Sequence, residues 1–219
     1  MTERMKKSTE RLIEHLASEA LPVRRLSAPA LRASLFLLSA LALAALAIVL
    51  FAKLPVFERR ISDPKLAIEV AATLATGILA VLAAFELSLP DRSPRWALLP
   101  VPTLVLWIAS SGYSCWRHLV VHGPDGWAVG ESAECFRFIL VVSLPLGAAL
   151  LLMLRRARAI APVRVAALGA LGVAALAAFV LQFFHPFDVT FMDLAIHLVA
   201  VGLVVLVASG AEALALRRG

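Results

Sequence analysis

Six long apolar stretches dominate the chain beyond residue 30, running approximately over 31–52, 66–88, 96–114, 135–154, 162–183 and 190–213. A bilayer's hydrocarbon core is about 30 Å thick and an α-helix rises about 1.5 Å per residue, so about 20 apolar residues cross it. The pattern predicts an all-α fold: a polytopic membrane protein of six transmembrane helices with a short N-terminal cytoplasmic amphipathic helix. Little chain is left for a soluble catalytic domain. Function must reside in the spans, their short loops and the N-terminal tail.

Composition agrees with that reading. Of the 219 residues, 61% are hydrophobic and 16% charged, against about 25% charged in soluble domains, and the mean hydropathy is +0.90. A soluble core of this size cannot hide so much apolar surface. The net charge of +6 does not point to nucleic acid, because no basic stripe is interleaved with aromatics. Positive charge belongs instead on the cytoplasmic flanks of membrane helices.

Six spans place both termini on one side. Fifteen Lys and Arg fall on that terminal side and six on the other, which puts the termini in the cytoplasm of a bacterial inner-membrane protein. The first outer loop, "KLPVFERRISDPK", is the discordant piece, its four basic residues offset by Glu58 and Asp63. The first apolar run begins only after about thirty polar residues and has no small-residue cleavage site before Lys53, so it reads as a retained helix.

Residues 3–20 form the sizeable soluble segment. At 100° per residue, Met5, Thr9, Leu12, Ile13, Leu16 and Ala20 fall within about 100° of arc, while Glu3, Lys7, Glu10, Arg11, Glu14 and Ser18 face the other way. His15 belongs to the solvated face. Pro22 ends the helix. A surface helix on lipid and a partner helix seated in a groove both fit this pattern. So short a helix is marginal alone in water, and orders fully on something else.

Both cysteines and four of the five histidines fall on the outer side. Cys115, His118 and His122 close the third span, Cys135 opens the fourth, His185 sits in the last outer loop, and His197 lies two turns inside the final span. Three readings stand for the thiols. A Cys115–Cys135 disulfide would close a loop of about twenty residues, contributing about 3 kcal/mol. Alternatively, if the third helix runs to residue 122, Cys115, His118 and His122 share one face, and Cys135 completes a Cys₂His₂ metal set. In the third reading, both thiols simply pack. Asp193 and His197 are an (i, i+4) pair, read as a packing pair or as support for the outer Cys/His cluster. Glu69, Glu86 and Glu212 lie near helix ends and are expected to reach the interface.

Catalytic signatures are missing. There is no Cys-x-x-Cys, Gly-rich phosphate loop, His-Glu-x-x-His or Gly-x-Ser-x-Gly. The chain is not expected to be an enzyme, and no cofactor is expected. "GALGVAALAA" in the fifth span carries small residues at the spacing of close helix contact.

Ordered fragments resemble the NrsF family, six-span bacterial negative regulators of the extracytoplasmic-function sigma factor SigF. They are "LPVRRL" at 21–26, "PDRSPRWALLP" at 90–100, "SCWR" at 114–117, "ESAECFRF" at 131–138 and "FHPFD" at 184–188. The resemblance implies a membrane-bound anti-sigma factor. Residues 1–27 would be its sigma-binding segment, with Met5, Leu12, Ile13, Leu16, Arg24 and Arg25 as contacts, and residues 28–219 its transmembrane domain. It further implies that outer cysteines sense oxidants or metals, Cys135 first and Cys115 next. Family members carry a cysteine directly after the histidine of the last outer loop, where this chain has Pro186. A Cys115–Cys135 pair, or a metal held with His185, would take its place. The other class to weigh is a small membrane transporter or metal-handling protein, with Asp193, His197 and the outer Cys/His set on its path. A thiol–quinone redox enzyme would need a second cysteine pair.

Overall fold

The structure is a computed structural model that describes the backbone of residues 2–19, 26–52, 54–123, 129–157, 159–184 and 191–218. Within these ranges the side chains of residues 2–6, 51, 54, 57, 60, 118, 122, 129–135, 191–193, 216 and 218 lie outside the description. The chain order is α1 (Thr2–Glu19), α2 (Pro29–Phe51), α3 (Leu54–Ser62), α4 (Pro64–Leu87), a 3₁₀ turn (Pro94–Leu98), α5 (Val101–His122), α6 (Val129–Arg155), α7 (Pro162–Leu181) and α8 (Phe191–Arg218). No strand occurs among the described residues.

Six helices are long and apolar enough to cross a membrane, matching the six stretches read from the sequence. Their starts follow local chemistry. Proline occupies the first turn of α2, α4, α5 and α7, where its missing N–H costs nothing and its fixed φ suits the helix. Asp63 caps α4 by accepting from the Lys65 amide at 2.9 Å, filling one of the donors that a helix start leaves open. Gly123 follows α5 at φ +75°, a conformation that favours glycine and ends the helix.

The apolar residues of α3 were expected to lie in a loop. They form a nine-residue helix that packs on α4, carrying exposed Glu58 and Arg59 on its outer side.

α4 and α7 form the centre of the bundle, and α2, α5, α6 and α8 pack around them. Their contact is set by glycines. A Cβ on Gly172 would stand 3.0 Å from the Val81 amide nitrogen, and one on Gly77 would stand 2.8 Å from Leu176 Cγ. Close backbone approach of this kind drives helix association where lipid removes the usual hydrophobic drive. The "GALGVAALAA" run therefore faces a neighbour, as its spacing indicates. Val81, Phe85, Leu150, Leu154, Val173 and Leu176 fill the surrounding core.

Alternating helix direction sorts the side chains to two ends. The starts of α2, α5 and α7 and the finishes of α4, α6 and α8 share one end with the tail, the terminal end. The opposite, distal end holds α3 and the loops after α5 and α7.

Candidate functional site

α1 stands out on the terminal end. Residues 7–19 are all exposed, including Leu12 at 58%, Ile13 at 59% and Leu16 at 60%. The 3.6-residue repeat places these three on one stripe, so the stripe is formed and open. His15 is exposed as expected and lies 3.5 Å from Glu19. The side chains of Met5, Arg24 and Arg25 lie outside the described residues.

The terminal end of the bundle is rich in arginine. Arg92 approaches Glu86 at 3.0 Å, and Arg155 Nε donates to Glu212 Oε1 at 2.6 Å. Both glutamates lie near a helix end, each with an arginine partner the sequence did not indicate; Glu212, expected to reach the interface, is 7% exposed and buried against Arg155 instead. Arg32, counted in the sequence only as a flanking charge, is 6% exposed. Its Nη2 donates to the Met153 carbonyl of α6, and its guanidinium lies 5.1 Å from the Phe85 ring centre of α4. A groove of about 250 Å³ between α6, α7 and α8 opens beside Arg155 and Glu212.

The distal end carries a buried polar network, and here one expectation is corrected. Glu69 does not reach the interface; it is 5% exposed. Its Oε1 accepts from Ser111 Oγ of α5 at 2.7 Å, and its backbone carbonyl accepts from Thr73 Oγ1 at 2.7 Å. Gln182 Nε2, just past α7, donates to Thr73 Oγ1 at 2.9 Å. Ser111 satisfies one carboxylate oxygen at this depth, while Glu69 Oε2 is buried without a hydrogen-bond partner. The sequence signal for the network was present but weak: a carboxylate in an apolar run is a functional candidate by default, whereas Ser111, Thr73 and Gln182 look ordinary.

Cys115 lies one turn outward from Ser111 and is 5% exposed. α5 continues to His122, so residues 115, 118 and 122 do share one helix face. Cys135 is in the second turn of α6. Among the described residues α5 packs mainly on α4 and α8, and α6 mainly on α7 and α8. The side chains of His118, His122 and Cys135, and all of His185, lie outside the described residues, as does the metal set built on them. Asp193 opens α8 and His197 follows one turn later, half-buried; the Asp193 side chain is likewise undescribed.

The NrsF family model, whose description reads negative regulator of sigma F, matches residues 16–217. The chain belongs to the NrsF family. No curated protein and no solved structure matches it. The NrsF match takes in the whole six-helix bundle with both of its polar ends, and begins at Leu16, inside the last turn of α1. As an NrsF protein the chain is a negative regulator with a sigma factor as partner. Leu12 and Ile13 precede the matched region.

Proposed function

We propose that this protein is a membrane-bound anti-sigma factor of the bacterial inner membrane, with both termini cytoplasmic. Residues 1–27 hold an extracytoplasmic-function sigma factor, and residues 28–219 anchor it and relay the signal. The observation that carries the reading is the exposed stripe of Leu12, Ile13 and Leu16 on an N-terminal helix that precedes the six-helix bundle. An amphipathic helix buries such a stripe in a groove on its partner, and a sigma surface so occupied is withheld from RNA polymerase. The excess of basic residues on the terminal side supports the orientation.

The outer thiols supply the input. Oxidants or metals acting at Cys135, with Cys115 next, bias the packing of the bundle and thereby the exposure of α1. His118, His122 and His185 are the additional donors a metal signal would use, with Asp193 and His197 behind them. No enzymatic step is involved.

Deleting residues 1–20 tests the central claim. The truncated protein is expected to remain in the membrane fraction and to lose co-purification with a co-expressed sigma factor of its own genome. Undiminished co-purification would overturn it.

A transporter or metal-handling role draws on one observation, the buried line Glu69–Thr73–Thr76 on α4. That line stops midway. Thr76 closes on the Ala72 carbonyl at 2.7 Å, and beyond it α4 buries Ala80, Val81, Ala83 and Ala84. Uptake of radioactive metal into vesicles would revive that reading.

A further inference from the structure

We infer that Arg32 is the positioning residue for the N-terminal tail: it clamps the start of α2, from which residues 1–27 depart, onto the end of α6 and onto α4. The inference rests on the anti-sigma reading above and deepens it, naming the contact through which α6 governs the tail.

α2 is held by one half only. It packs mainly on α4 and touches α6 and α7 lightly. Its buried residues run from Pro29 to Ala40, and none of residues 41–50 is buried. The direction in which the tail leaves the bundle is therefore set at the terminal end, by the first turns of α2.

Arg32 sits in the first of those turns and is buried. Its Nη2 donates to the Met153 carbonyl, one of the last four carbonyls of α6, which helix geometry leaves without an intrahelical donor. The dipole of α6 favours a cation at that end. The guanidinium also lies 5.1 Å from the Phe85 ring centre on α4, within the range of a cation–π contact. Two helices thus grip one side chain of a third. No carboxylate pairs with Arg32 among the described residues, and its Nη1 is buried without a hydrogen-bond partner. A buried cation compensated by a carbonyl and a ring alone is held narrowly. When the end of α6 withdraws, the side chain loses its acceptor, and its length lets it turn to interfacial water instead.

α6 also carries Cys135, about 27 Å from Met153 along the helix axis. Pro145 stands between them. Its ring offers no N–H to the Val141 carbonyl, so α6 bends most readily there. A change at the Cys135 end of α6 can shift the Met153 end, and Arg32 is where that shift reaches α2.

Pulsed EPR on the full chain in liposomes tests the clamp, with nitroxides on Leu31→Cys and Leu152→Cys, both exposed positions, in a Cys115→Ser, Cys135→Ser background. One narrow distance is expected with Arg32 in place, and a broadened one in Arg32→Met. Arg32→Lys, which keeps the charge without the planar fork, should be intermediate. Val173→Ala, which opens a cavity in the core, should lower stability and leave the distance narrow. With the native cysteines restored and no labels, Arg32→Met is expected to weaken sigma-factor retention about tenfold, the size of one hydrogen bond to a charged group. Arg32→Lys should recover part of the loss, and Val173→Ala should show none. An unbroadened distance in Arg32→Met, equal broadening in Val173→Ala, or full retention despite broadening would each overturn the proposal. The distance needs no sigma factor, so the clamp is decided even where deletion of residues 1–20 fails to release one.

Discussion

Ser111 and Cys115 stand one turn apart on α5, and they are the two described residues of that helix that are buried. Ser111 fastens α5 to α4 through its 2.7 Å hydrogen bond to Glu69. Cys115, one turn further along α5, is likewise buried. Buried thiols react slowly with external reagents. In a reduced Cys135→Ser background, maleimide should label Cys115 after denaturation and scarcely before. Rapid labelling of the native protein would contradict the packing.

The Ser111–Glu69 bond should register as a coupling. Interhelical hydrogen bonds in membrane proteins are worth about 1 kcal/mol. A double-mutant cycle of Ser111→Ala and Glu69→Gln, followed by unfolding in mixed micelles, should return a coupling of about that size. Strict additivity would show that the two side chains do not interact.

The glycine contact between α4 and α7 makes a sharper claim. Gly172→Val should lower stability by about 1–3 kcal/mol, the usual effect of overpacking, since even a Cβ there meets the Val81 backbone at 3.0 Å. Gly202→Ala, where a Cβ meets nothing within 4 Å, should be neutral or slightly stabilising. Similar melting temperatures for the two variants would place the helix contact elsewhere.

The α1 stripe can be tested without deleting it. Burying a leucine side chain is worth about 2 kcal/mol, so Leu12→Asp and Leu16→Asp should each weaken sigma-factor retention about thirtyfold. Glu14→Gln on the opposite face should leave it unchanged. A co-purification titration reads the difference, and equal losses on both faces would remove the stripe from the interface.

For the outer side, Cys135→Ser should alter induction of the sigma regulon by oxidant or metal while membrane insertion and basal repression persist. An unaltered response in a reporter strain would withdraw the sensor role.

Much of the architecture was legible because membrane crossing is a local property. Span length and apolarity are fixed by each segment alone, and the proline starts and the α1 stripe are likewise readable from neighbours in sequence. The short helix α3 escaped notice because nine residues with a central run of three charges, between Lys53 and Asp63, carry no length signal. Glu69 was misplaced for a different reason. Whether a carboxylate reaches the interface or stays inside depends on donors from other helices, and its donor Ser111 lies 42 positions away in the chain.

The sequence by itself determined six crossings, the amphiphilic leader and, through ordered fragments, the family. Those are sums over adjacent residues. Tertiary structure alone decided that α4 and α7 are central, that Arg32 is buried near a carbonyl and an aromatic ring, and that Cys115 is buried. Apolar spans of equal hydropathy are interchangeable until glycines and polar side chains from distant segments meet. The pairing energy belongs to the pair, and neither partner's sequence contains it.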